Sequence, residues 1–254
     1  FPGIIMPLNK IFKGRSGKIV ALIIAAMSAV IGFLLLYPDI SRLKNEDPAR
    51  TSFMEYREKE WRESGKKIKI RQRWTPISRI SPYLVKAVLI SEDDKFYQHE
   101  GFDYEAIQKA IETDIKRRKI KFGGSTISQQ LAKNLYLTPS KNPLRKLREA
   151  VLTWRLERAL SKKRILEIYL NVAEWGEGIF GIGAASSHYF GKPPAALTPM
   201  EAARLAAALP NPRRYNPAGT SGYIVKRSQA IYNIMVRRGI VAEEFETEEG
   251  AETE

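Results

Sequence analysis

A run of about twenty residues without a charge, Ile19 to Pro38 (IVALIIAAMSAVIGFLLLYP), constrains this chain more than any other feature. As a helix rising about 1.5 Å per residue it extends roughly 30 Å, the thickness of a bilayer's hydrocarbon core. Lys10, Lys13, Arg15 and Lys18 precede the run, whereas Asp39, Arg42, Lys44, Glu46 and Asp47 follow it with mixed sign. This asymmetry predicts an N-terminus in the cytoplasm and everything after Pro38 outside. A cleaved signal peptide has a similar basic start and apolar core. The run is longer than the usual signal core, and Tyr37-Pro38-Asp39 offers no small-residue cleavage site. The sequence therefore predicts a cytoplasmic basic N-terminus over 1–18 and one uncleaved transmembrane helix over 19–38.

Residues 39–65 read as a polar juxtamembrane segment with a helix around Met54 to Trp61, and 66–242 as one domain. The last twelve residues, 243–254, carry seven glutamates and no basic residue, the composition of a disordered acidic tail. Elsewhere 42 basic residues stand against 21 acidic ones, a balance of +21. Such a body favours polyanions, anionic lipid head groups or phosphorylated substrates. With no cysteine there is no disulfide, thiol nucleophile or zinc–thiolate site, and His99 and His188 are too few for a histidine-rich metal centre. Helix starts are well signalled: Ser81-Pro82, Asp103, Asn142-Pro143, Ser161, and the capping box Thr198-Pro199-Met200-Glu201. The stripe Ile107, Ala110, Ile111, Ile115 gives the helix after Asp103 an apolar face. Against these stands one short β-like patch, Lys67 to Arg71, alternating charged and apolar residues. The expected domain is mainly α.

Three segments carry candidate chemistry. Glu92, Asp93 and Asp94 end the apolar helix Tyr83 to Ile90, where the helix dipole disfavours acids. Burial there against Phe96 or Tyr97 would raise a carboxyl pKa and make a usable base; a solvated helix end is the plainer alternative. Gly123-Gly124-Ser125-Thr126 leads into a helix bearing Gln129, Gln130, Lys133 and Asn134. Free N–H groups at such a start suit an anion, and the glutamines share a face with Lys133, which suggests a pyrophosphate. A glycine turn before a capped surface helix fits as well. Arg145 and Lys146 lie one turn before Glu149 and would keep it ionised, or simply decorate a solvated face. Gly176 to Gly181 matches G-x-G-x-x-G but follows a helical pattern, so the dinucleotide-binding reading lacks its strand.

Taken in order, these segments resemble the family 51 glycosyltransferases, the peptidoglycan polymerases. EDxxFxxHxG is met by Glu92, Asp93, Phe96, His99 and Gly101. GGSTISQQLAKN stands from Gly123 to Asn134, RKxxE is Arg145, Lys146 and Glu149, and RILEIYLN is Arg164 to Asn171. The likeness covers roughly Pro76 to Pro217, with no transpeptidase half following, as in monofunctional, membrane-anchored members. One departure is Lys141, eight residues before Glu149, where many relatives carry arginine; the charge is kept and the bidentate fork is lost.

The resemblance implies a lysozyme-like, mainly helical fold behind one transmembrane helix. It implies a single-pass protein of the bacterial cytoplasmic (inner) membrane with an extracytoplasmic catalytic domain. Its partners would be lipid II, the growing lipid-linked glycan and the bilayer, with other cell-wall synthesis proteins as further candidates and no nucleic acid. The expected reaction joins an acceptor 4-hydroxyl to the donor's anomeric carbon with inversion, releasing polyprenyl pyrophosphate. Glu92 is the expected base. Lys133 and Arg145 would stabilise the leaving group, assisted by Lys146 and the Ser125-Thr126 helix start. Glu149 would orient these cations or hold a divalent cation, Mg2+ or Mn2+. Asp93, Phe96, His99, Gly124, Gln129, Gln130, Asn134 and Lys141 complete the expected substrate-binding set. Two rivals remain: a lytic transglycosylase or muramidase with Glu92 as acid, which leaves Lys133 and Arg145 unexplained, and a non-enzymatic basic binder of anionic cell-wall polymer.

Overall fold

The structure, a computed structural model, describes residues 15–35, 38–117, 124–139 and 142–241. Lys141, the acidic tail and the basic residues before Arg15 lie outside the described residues. Arg15–Leu35 form helix α1, whose side chains are described only as far as Ser28. Among the described residues no helix is long and apolar enough to cross a membrane. The chain divides into a unit of residues 1–42, which holds α1, and a unit of residues 43–254.

In the larger unit the caps read from sequence set most helix starts. Helix α2 spans Ser52–Glu63, two residues longer at each end than expected, because Thr51 Oγ1 accepts the Met54 N–H. Helix α3 spans Pro82–Glu92. Its expected cap, Ser81, instead donates its hydroxyl to the Leu197 carbonyl, and Pro82 alone sets the first turn. Asp103 caps α4, Tyr104–Arg117, through the Ala106 N–H. Helix α5 is Ile127–Tyr136, and α6, Pro143–Ala159, is capped by Asn142. Helix α7, Lys162–Val172, starts at Ser161.

The expected strand over 67–71 is a strand only at Arg71–Gln72, β1. Alternation alone cannot hold a ladder, and the partner on offer is two residues long. That partner is β3, Ile179–Phe180, which also pairs antiparallel with β2, Glu174–Gly176, giving the order β1-β3-β2. The G-x-G-x-x-G segment is thus a β-hairpin followed by α8, Ile182–Phe190. Gly181 sits at φ +74°, and a Cβ there would lie 2.5 Å from the Asn171 carbonyl oxygen, so close backbone approach accounts for the glycine. Helices α9, Pro199–Ala208, with both arms of its capping box made, and α10, Gly222–Arg237, complete the unit.

The helices group about two centres. Helix α3 packs on α9 and α10. Ala202, Ala203, Ala206 and Ala207 are fully buried, and such small side chains let α9 approach closely. Helix α5 packs on α6, α7 and α2, burying Ile127, Leu131, Leu156 and Leu166 completely, worth about 1.5–3 kcal/mol each. Buried Asn171 ties the end of α7 to the chain leaving β1: its amide donates to the Thr75 and Glu167 carbonyls and accepts the Thr75 N–H.

Candidate active site

Glu92 ends α3 and Asp93 follows it, yet the two carboxylates do different things. Asp93 Oδ2 accepts the Ile127 N–H at 2.9 Å, capping α5 from outside, and its Oδ1 lies 2.9 Å from His99 Nε2. His99 Nδ1 accepts the Gly101 N–H, so Nε2 carries the ring proton and donates it to Asp93. Asp93 therefore joins the end of α3, the turn after it and the start of α5. Gly101 completes that turn at φ +91°, where a Cβ would lie 2.8 Å from Thr153 Cγ2.

The start of α5, where the sequence suggested an open anion site, has three of its N–H groups bonded within the protein. The N–H groups of Thr126, Ile127 and Gln129 are bonded to Gln129 Oε1, Asp93 and Thr126 Oγ1 respectively. An internal carboxylate and a capping box already hold these three donors of the helix start. Gln129 is buried with its side chain turned back into that box, while Gly124 and Ser125 lead into it. Phe96, expected beside the substrate, is wholly buried, edge-on to Tyr97 and His99 with the Lys162 ammonium 4.5 Å from its ring centre. His99, Asp93, Thr126 and Phe96 are the frame of the site.

Glu92, Gln130, Lys133, Arg145, Lys146 and Glu149 come together as one carboxylate–cation cluster, the candidate site. Gln130 Nε2 donates to Glu92 Oε2 at 2.9 Å. The Tyr169 hydroxyl donates to Gln130 Oε1 at 3.1 Å and so fixes which end of the amide faces the carboxylate. Burial, with Glu92 and Asp93 nearby, pushes the Tyr169 pKa well up, so it stays a donor. The Ser91 hydroxyl lies 3.3 Å from the other oxygen of Glu92 and is itself held by Arg227 on α10.

Almost one turn along α5 from Gln130, Lys133 is largely desolvated. Its ammonium makes no hydrogen bond or ion pair among the described residues. Desolvation pulls its pKa down; Glu149 opposes, Arg145 and Lys146 add to the fall, and Glu92 opposes it. Glu149, 3% exposed on α6, accepts from Arg145 Nη1 at 2.6 Å and from Lys146 Nζ. Both of its oxygens are thus engaged by cations, and among the described residues no three His, Cys, Asp or Glu converge as metal ligands. These residues do not fit Mg2+ or Mn2+. Lys133 and buried Asn134 line a cavity of about 220 Å³ with Gln130, Tyr169, Arg57 and Glu174. Burial raises the Glu174 pKa against the opposing pull of Arg57, which holds its Oε2 at 2.8 Å.

Tyr169, Ser91 and Arg227 were not singled out from sequence. Tyr169 sits in ILEIYLN at a position that reads as apolar core; the signal available was a hydroxyl on a core stripe, which needs a buried partner.

The transglycosylase family model matches residues 60–236. A biosynthetic peptidoglycan transglycosylase from Nitrosospira multiformis is 47% identical over 194 residues, 76% of this chain and 84% of the relative. One from Laribacter hongkongensis is 43% identical over 84% of this chain and 96% of its own length. One from Aromatoleum aromaticum is 52% identical over 66% of this chain and 74% of its own. The matched span contains the whole carboxylate–cation cluster, and the chain belongs to the transglycosylase family of enzymes.

Proposed function

We propose that the chain is a membrane-anchored peptidoglycan glycosyltransferase of lysozyme-like fold that polymerises lipid II into β-1,4-linked glycan. The observation that carries this is Lys133: a desolvated ammonium without a partner among the described residues, lining a cavity and within electrostatic reach of Glu149 and Glu92. Burying an unpaired charge is costly, so its retention points to a ligand that supplies the opposite charge. A polyprenyl pyrophosphate does so, and its charge grows as it departs.

Glu92 is the proton acceptor in this reading. The acceptor's 4-hydroxyl oxygen attacks the donor's anomeric carbon, the bond from that carbon to the pyrophosphate oxygen breaks, and Glu92 takes the hydroxyl proton. Lys133 and Arg145 stabilise the departing pyrophosphate, and Glu149 holds Arg145 and Lys146 in register. Neither rival accounts for this: cleavage of finished glycan has no need of the cations, and a polyanion binder has no need of the Gln130–Glu92 pair. The anchor is proposed from the apolar run, since Ile19, Leu22, Ile23, Ile24 and Met27 on α1 are each more than half exposed. It places the domain after Pro38 outside the cytoplasmic membrane. The test is polymerisation of purified lipid II by wild type and Glu92→Gln. Loss of a general base costs about 10²–10⁴-fold or more. Polymer from wild type and essentially none from a folded Glu92→Gln protein is expected; comparable turnover by both removes Glu92 from the role.

A further inference from the structure

Glu92 closes α3 at its C-terminal end, where the helix dipole presents its negative side to an acid. The last carbonyls of a helix also lack partners within it. At Ser91, one residue before Glu92, a side chain from another helix meets both needs. Arg227 on α10 donates from Nη2 to the Ser91 carbonyl at 3.4 Å and to the Ser91 hydroxyl at 3.1 Å. Its Nε is buried without a hydrogen-bond partner, and the guanidinium forms no ion pair among the described residues. An unpaired, partly desolvated cation is unfavourable by itself. Its position behind the last turn of α3 gives it a carboxylate to act on.

Ser91 has one hydroxyl proton and two acceptors for it. Its Oγ lies 3.3 Å from Glu92 Oε1 and 3.2 Å from the Ala206 carbonyl on α9. Arg227 donates into Oγ, so the hydroxyl sends its own proton outward to one of the two. An ionised carboxylate is the stronger acceptor, and a hydroxyl polarised by a cation bonds it more strongly. We propose that Arg227 is a positioning residue of the reaction, acting on Glu92 through the Ser91 hydroxyl. While Glu92 is ionised, Ser91 holds Oε1 as Gln130 holds Oε2 at 2.9 Å. The carboxylate is then fixed in one orientation, with a lone pair left on each oxygen for the incoming proton. Once Glu92 has accepted that proton, the Ser91 hydroxyl turns to the Ala206 carbonyl. The cation stays one hydroxyl away throughout, so it orients the base without pairing it. This inference rests on the reading of Glu92 as the base.

The test is steady-state polymerisation of lipid II in detergent by the full chain, with kcat and KM separated, below the melting transition of each variant. Ser91→Ala removes only the hydroxyl and should lower kcat about fivefold with KM unchanged. Arg227→Gln should lower kcat about tenfold. Ser91→Thr, which keeps a hydroxyl, and Arg227→Lys, which keeps a cation, should each recover most of the loss. If Arg227 acts through Ser91, the losses do not multiply: the double variant should be about tenfold slower than wild type, not about fiftyfold. An arginine that only caps α3 would lower the melting temperature and leave kcat alone. Wild-type kcat in Ser91→Ala overturns the proposal even where Arg227→Gln fails to fold, and so does a double variant about fiftyfold slow. Glu92→Gln, measured beside these, separates the two ideas. If it is inactive while Ser91→Ala turns over as the wild type does, this inference alone fails. If Glu92→Gln turns over as the wild type does, the reading of Glu92 as base fails and takes this inference with it.

Discussion

Asp93→Ala is the substitution that separates the frame of the site from its chemistry. The carboxylate accepts from the Ile127 N–H and from His99 Nε2, each at 2.9 Å; the first bond is buried and the second part-buried. Alanine leaves each donor without its partner. A buried donor left unsatisfied costs about 1–3 kcal/mol, and water entering beside His99 offsets part of that, so a loss of about 2–4 kcal/mol is expected. For a domain of this size each kcal/mol moves the melting temperature about 2–4 °C, which predicts a fall of roughly 4–16 °C. Asp94→Ala, one residue on, is the control. Asp94 pairs with Arg238 at about half exposure on both sides, and exposed pairs contribute about 0–1 kcal/mol. The assay is thermal unfolding of the three proteins in one detergent at pH 7, with lipid II turnover measured below the lowest transition. An Asp93→Ala protein that melts with the wild type yet has lost turnover would refute the framing role and return Asp93 to direct contact with substrate.

Lys133→Met should abolish polymerisation and raise the melting temperature at neutral pH, because it removes a desolvated charge. The Lys133 pKa is lowered in the folded state, so its cost to stability is fully present below that folded value and fades as pH rises from it toward the unfolded 10.5. The melting difference between wild type and variant should shrink over that alkaline window; a variant less stable than wild type at pH 7 would contradict the reading. Tyr169→Phe frees the Gln130 amide from its fixed orientation and should lower kcat about fivefold, the worth of roughly 1 kcal/mol, with little change in KM. Protease added outside intact spheroplasts should digest the domain after Pro38 and spare the Lys10–Lys18 end, and the opposite protection pattern would reverse the topology.

What could be read in the sequence depended on whether the signal was local. Caps are local: Thr198 with Glu201, Asn142 with Pro143, and Asp103 each needed only neighbours within three residues, and each marks a helix start in the structure. Glu92, Lys133 and Glu149 were legible as chemistry-bearing types within motifs. Their meeting was not, since it depends on α3, α5 and α6 converging. Where the reading and the structure part, one cause recurs. Asp93, Thr126, Gln129 and Phe96 sit among site residues in the chain, and sequence adjacency cannot separate a side chain that touches substrate from one that holds the next helix. Asp93 bonds to Ile127, 34 residues away, and that long-range bond is what turns an apparent anion site into a closed cap. Strands of two and three residues gave even less to read, because a ladder that short is set by its partners.

The arrangement around Glu92 also explains why an amide stands where a cation would be easy to supply. Lys133 lies within electrostatic reach of Glu92, and an ammonium can bond a carboxylate. A cation bonded directly to a general base would weaken it as a proton acceptor and would itself be withdrawn from the leaving group. Gln130 instead orients Glu92 without adding charge, and Tyr169 keeps its N–H end toward the carboxylate. Glu149 takes the opposite part, holding two cations with one carboxylate. The cluster thus carries three cations against two carboxylates, with the uncompensated charge on the desolvated side at Lys133. In the proposed reaction a pyrophosphate entering there would meet a positive charge that no group among the described residues has neutralised, beside a carboxylate that no cation among them has paired. In the proposed reaction, separating the two by a neutral side chain would let one small site accept a proton and stabilise a departing anion at the same time.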